Sequence, residues 1–147
     1  MVRYAQRVEI KLVKEPEYKL PVKTGIKMAQ DVIDGFAPLM ECDREQVLLV
    51  LLNPNNKPIG INLAHVGGTN QCLFEPREIL RAALLTNASS FIVLHNHPSG
   101  NPKPSKEDDI ATRALVKACE LMRVKLLDHI ILGDEGKYYS YIENRKL

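Results

Sequence analysis

Tryptophan is absent from this chain, aromatic residues make up only 5% of it, and no apolar run approaches the ~18–20 residues of a membrane span. The opening MVRYAQRVEIKLVKE lacks the apolar centre of a signal peptide, so the sequence reads as a soluble, cytoplasmic protein with no membrane partner. Cysteine is scarce. Cys42, Cys72 and Cys119 are odd in number, lie far apart and form no CxxC pair. That spacing indicates neither a disulfide framework nor a zinc ribbon and leaves three reduced thiols in or near a core. Charge of one sign is lacking too: the net value of +2 is too small to argue for nucleic acid. Lysines at 11, 14, 19, 23 and 27 make the first thirty residues locally basic, which an ordinary solvated face explains. Repeats, linkers and low-complexity tracts are missing, so a single domain over 1–147 is expected. A chain of this length buries roughly 68–70% of its unfolded surface and needs no disulfide or structural metal to fold.

What is present alternates strand and helix signals. QRVEIKLVKE (6–15) suits an edge strand, and KTGIKMAQDVIDGF (23–36) sets Ile26, Ala29, Val32 and Ile33 at helical spacing. REQVLLVLLN (44–53) is a strand covered on both faces, followed by the turn formers NPNNKP (53–58) and a returning strand over 60–68. A helix over 75–87 has Pro76 in its first turn, and SSFIVLHNH (89–97) is a third apolar strand. A long amphipathic helix over 105–122, a strand over 125–134 and a last hairpin arm over 137–141 complete the chain. The order predicts an α/β fold, with a mixed central β-sheet and flanking helices.

The chemistry concentrates in FIVLHNHPSGNPKPSKEDD (91–109). Residues i and i+2 of a strand share a side, so His95 and His97 can aim their imidazoles at one point while Asn96 faces away. Imidazole suits zinc, and a catalytic zinc commonly takes three protein ligands and leaves one position open. The turn-rich PSGNPKP can bring the chain back, and Ser105 as N-cap would place Asp108 in the first turn of a helix, whose macrodipole favours an ionised carboxylate. Ser-x-x-Asp is equally a capping box that needs no metal. Glu107 and Asp109 compete by spacing, and only the N-cap register favours Asp108.

HNHPSGNPKPSKED resembles the JAMM (MPN-plus) metalloprotease signature: His-x-His-Pro, six residues, Ser, two residues, Asp. Together with GGTNQCLFEPRE upstream and LDHIILGD downstream, it is similar to the C-terminal domain of bacterial RadC-like proteins over about 23–141. The resemblance implies a cytidine-deaminase-like JAB/MPN fold with one zinc per chain, held by His95, His97 and Asp108. It implies further that Glu45, opening an earlier strand, holds and deprotonates the attacking water, and that Ser105 supports the oxyanion. Fuller members carry a helix-hairpin-helix region, whereas the first twenty residues here read as a strand and connector.

The expected function is a zinc-dependent metallopeptidase acting on a peptide or isopeptide-type amide of unnamed substrate. The rival is a DNA-repair-associated accessory or DNA-binding module of the same family, with DNA as a weakly supported partner. A metal-dependent nuclease ranks lower, because the carboxylate cluster of a two-metal site is missing. His129 reads as a core histidine with its hydrogen bonds satisfied, or a support behind a ligand, rather than as a fourth ligand, and His65 as structural or at a cleft rim. Gly67-Gly68 marks a bend, and Tyr138, Tyr139 and Tyr141 are read as terminal-strand packing.

Overall fold

QVLLVLL and SFIVLHN are apolar almost throughout because each strand is covered on both faces. In the computed structural model, which describes residues 25–40, 44–66 and 74–147, these are β1 (Gln46–Leu52) and β3 (Ser90–Asn96). The other strands are β2 (Pro58–Val66), β4 (Lys125–Leu132) and β5 (Tyr138–Ser140); the helices are α1 (Ala29–Phe36), α2 (Pro76–Leu85) and α3 (Lys106–Met122). The sheet order is β2-β1-β3-β4-β5, with β3 and β4 parallel and every other pair antiparallel. The expected mixed α/β architecture is what forms.

The period of two divides the core. Val47, Leu49, Leu51, Phe91 and Val93 point to one side, where Ile79, Leu80 and Ala83 of α2 and Ala111, Leu115 and Cys119 of α3 cover them. Leu48, Val50, Leu52, Ile92 and Leu94 point to the other, under Val32, Ile33 and Phe36 of α1. Full burial of a Leu or Ile contributes about 1.5–3 kcal/mol, so these two layers carry most of the fold. The buried Cys119 thiol sits in the first of them, as expected of a reduced core cysteine, while Cys42 and Cys72 lie outside the described residues. So do the strand expected over 6–15 and the Gly67-Gly68 bend; the side chain of His65 is likewise not described.

The first helix is shorter than its periodicity predicts. Ile26 is buried on the α1 side as expected, but residues 25–27 are not helical. Ile26 N–H donates to Asn56 O at 2.8 Å, tying this segment to the β1–β2 turn, and the Asp31 carboxylate accepts from Lys27 and Met28 N–H to start the helix at Ala29. The helix ends at Phe36, one residue past Gly35, and leads into a 3-10 turn over Ala37–Met40.

The parallel β3–α3–β4 crossover is what builds the site. β3 ends at Asn96, and the chain returns through residues 97–105 into the N-terminus of α3. That loop is held against the end of β4: His97 N–H donates to Leu132 O at 2.9 Å, and Asp134 N–H donates to Gly100 O at 2.9 Å. Gly100 takes φ +77°, and Gly133 lies so close to the loop that a β-carbon there would sit 2.7 Å from Pro102 Cδ and also collide with the Gly100 carbonyl. We therefore expect Gly133→Ala to cost about 1–3 kcal/mol by overpacking, read as a lower thermal midpoint, because backbone rather than a flexible side chain must yield.

Candidate metal centre

His95 continues the inward side of β3 and is fully buried beneath the first turn of α3; His97 follows two residues on, past the strand end. The register of β3 against β1 pairs Val47 with His95, so two more residues along bring Glu45 opposite His97. The side chain between the histidines makes that approach secure. Asn96 Oδ1 accepts from Gln46 N–H at 2.7 Å and Asn96 Nδ2 donates to Arg44 O at 3.0 Å, fastening the backbone on both sides of Glu45.

The donor atoms of Glu45, His95 and His97 all lie within 4.8 Å of one another, and this group could hold a metal ion. Glu45 Oε1 is 2.8 Å from His95 Nε2. Asp108 faces both rings, with Oδ2 3.3 Å from His97 Nε2 and Oδ1 3.8 Å from His95 Nδ1. The two competing acids go elsewhere: Asp109 receives the Tyr141 hydroxyl at 2.9 Å, and Glu107 is exposed. Asp108 is a capping residue as well. Ser105 Oγ accepts from Asp108 N–H at 3.0 Å, while Asp108 Oδ2 accepts from Ser105 N–H and Ser105 Oγ–H, each at 2.7 Å. The capping-box reading of Asp108 is what forms, with its carboxylate turned to both imidazoles, and Ser105 is the group that aims it.

The donor set fits a cation. The Asn101 carbonyl can only accept, so His97 Nδ1 donates to it at 2.7 Å, leaving Nε2 turned towards Asp108. His95 Nε2 donates to the Glu45 carboxylate, which leaves Nδ1 as a buried lone pair without a partner, facing a carboxylate oxygen. Two acceptors face to face repel unless a proton or a cation lies between them. Two ligands on one tetrahedral ion with bonds of about 2.0–2.2 Å stand roughly 3.4 Å apart. The separations of 3.3 and 3.8 Å bracket that value.

The electrostatics agree. The hydrogen bond from His95 holds the Glu45 carboxyl below its ordinary value, more than burial raises it. Burial alone would raise Asp108, but its bonds to His97 and Ser105 outweigh that and hold it well below the usual carboxylate range. The bond to Asp108 raises the His97 imidazole above its ordinary value, against the opposing effect of burial.

Behind these groups lies His129 of β4, fully buried and pushed down to about 3 by burial and by the neighbouring His95. Asn96, Asn101 and Thr112 are the positions that reading by motif passed over. Asn96 and Thr112 signal themselves only as polar side chains buried at a strand end and on a helix face, while Asn101 is exposed and acts through its main-chain carbonyl.

A two-histidine strand end facing a first-turn acid, at the C-terminal edge of a mixed sheet, defines an α/β domain built around a candidate metal site. Residues 26–147 match the RadC-like JAB domain, and the chain belongs to that family. It is similar to the UPF0758 protein TTE0897 of Caldanaerobacter subterraneus subsp. tengcongensis, at 38% identity over 93% of this chain and 64% of that one. UPF0758 proteins of Pelobacter propionicus (43% identity; 78% of this chain, 50% of that one) and Thermotoga maritima (43%; 71% and 47%) are similar too. The chain thus spans between 47% and 64% of the length of these relatives. Among the described residues no helix is long and apolar enough to cross a membrane.

The shifts predict how the metal-free protein responds to pH. His97, raised by folding, contributes stability that is complete below its ordinary value of 6.5 and is lost as pH rises through the raised one. Glu45 and Asp108, lowered by folding, contribute stability that is complete above their ordinary values of 4.5 and 3.8 and is lost as pH falls through the lowered ones. The stability contributed by the cluster is therefore greatest between 4.5 and 6.5. Thermal melting in chelator should show the midpoint declining above that window in the native protein, and His97→Gln should flatten the decline. A variant that declines as steeply would assign the effect to another group.

Proposed function

We propose that this domain is a zinc-dependent hydrolase that cleaves a peptide or isopeptide-type amide. One observation carries the reading: two imidazoles and two carboxylates from three separate segments meet at the end of β3, with the His95 Nδ1 lone pair buried and unpartnered among them. His95, His97 and Asp108 are the groups that would hold the ion, which would supply Lewis acidity to acidify water and polarise a carbonyl.

The rest falls to side chains of this chain. Glu45 is the most open member of the cluster, with a side chain 41% exposed, and its carboxyl, held below its ordinary value, is ionised at neutral pH. It takes the proton from the attacking water and delivers it to the leaving amine. Ser105 lies one hydrogen bond from Asp108; its hydroxyl exchanges the carboxylate for the developing oxyanion when substrate is present. The capping bond from Asp108 N–H to Ser105 Oγ survives that exchange.

Elemental analysis of the purified protein should find one zinc per chain, lost in His97→Ala and in Asp108→Ala. Glu45→Gln should keep the zinc while amide cleavage falls by about 10²–10⁴-fold. A native protein without stoichiometric metal would overturn the hydrolase reading. Metal lost on Glu45→Gln would instead make Glu45 a ligand. DNA binding that falls steeply with salt and ignores Glu45→Gln would favour the DNA-associated alternative.

A further inference from the structure

Why a histidine occupies position 129 is not explained by packing. Its ring lies flat between two others: the His95 imidazole at 5.7 Å with planes 25° apart, and the Tyr141 ring at 4.9 Å with planes 4° apart. Phe74 meets its edge at 6.0 Å. A phenylalanine would fill such a slot without polar atoms. His129 instead leaves Nε2 buried with no hydrogen-bond partner, at a typical cost of about 1–3 kcal/mol. A residue kept at that cost needs a use.

The other nitrogen supplies one. Thr112 Oγ1 donates to the Asp108 carbonyl at 2.6 Å, which commits its only proton, so the 2.7 Å contact with His129 Nδ1 has the imidazole donating. His129 therefore touches the candidate ligands from both sides. Its face supports the His95 ring, and its Nδ1–H holds the hydroxyl that holds Asp108. No direct hydrogen bond joins those two ligands; His95 Nδ1 and Asp108 Oδ1 stand 3.8 Å apart and belong to different elements, β3 and α3. The back of the plate is fixed as well. Tyr141 N–H donates to the His129 carbonyl at 3.0 Å, and the Tyr141 hydroxyl donates to Asp109 in the same first turn of α3.

We propose that His129 is a positioning residue that locks the His95 imidazole and the Asp108 turn into one unit, setting metal affinity and geometry without binding the ion. This rests on the reading of His95 and Asp108 as ligands, and extends it to a residue that reading does not use. Phenylalanine at 129 would keep the plate and remove the orphaned nitrogen, but would release Thr112. The prediction is thus a dissociation between stability and metal binding.

The test is titration of metal-free protein with Co²⁺, following the visible d–d absorption, alongside melting in chelator. His129→Phe should weaken Co²⁺ binding by about 10–100-fold and alter the d–d bands, while the metal-free midpoint stays level or rises. Thr112→Val, which removes the acceptor and keeps the side-chain volume, should shift affinity and spectrum in the same direction; it also serves if His129→Phe fails to fold. Native affinity and an unchanged spectrum in the folded variants would overturn the positioning role and leave the metal reading standing. A native protein that takes up no Co²⁺ would overturn both.

Discussion

The antiparallel register of β1 on β3 is the constraint on which this site depends. With Val47 opposite His95, Glu45 arrives beside the His-x-His pair from fifty residues away. A slip of one residue would turn Glu45 to the opposite face, and with it Leu49 and Leu51 into the α1 layer. The apolar alternation that buries both faces of β1 therefore also places the carboxylate. Packing and site share one specification. Asn96, on the far side of the strand from the two histidines, secures the last step by bonding to the backbone on either side of Glu45.

The helix cap couples the second half of the site to folding in the same way. Asp108 closes the capping box and faces both imidazoles, so the contacts that start α3 also orient the acid. Cap and candidate site share one carboxylate: Oδ2 carries the capping bonds and stands 3.3 Å from His97 Nε2, while Oδ1 faces His95. The helix dipole adds to the preference for an ionised carboxylate, and the loop between β3 and α3 cannot drift, since Gly100 and Gly133 let it seat against the end of β4. Four short elements end at one place, and each end is tied there.

Local spacing made much of this legible. The period of two in β1 and β3, the turn formers at 53–58 and the long amphipathic pattern after Ser105 all appear as elements close to where they were read. The pair His95 and His97 follows from strand geometry alone. Asp108 needed the N-cap register, and Glu45 could not be reached by spacing at all, because cross-strand register is a property of the folded sheet. The early start expected for α1 failed for a related reason. Ile26 has the right burial for a helix face, but its N–H is taken by Asn56 of a turn distant in sequence. Periodicity reports which side chains are buried, not which backbone groups are already spoken for.

His129 shows the same limit from the other side. Within LDHIIL it looks like one polar residue in an apolar strand, and its burial bears that out. Only the fold shows that its ring stacks on His95 and that its nitrogen reaches the helix carrying Asp108. Buried imidazoles without full partners are unfavourable in a metal-free domain, and among the described residues there are two, His95 Nδ1 and His129 Nε2. They lie in adjacent rings, with the Glu45 and Asp108 carboxylates converging on the first of them. A core selected for stability alone would fill these positions with apolar side chains, as it does everywhere else along β3 from Phe91 to Leu94. His95 lies at the end of β3 and His129 stacks on it from within β4, so both departures fall beside the site whose chemistry would require them.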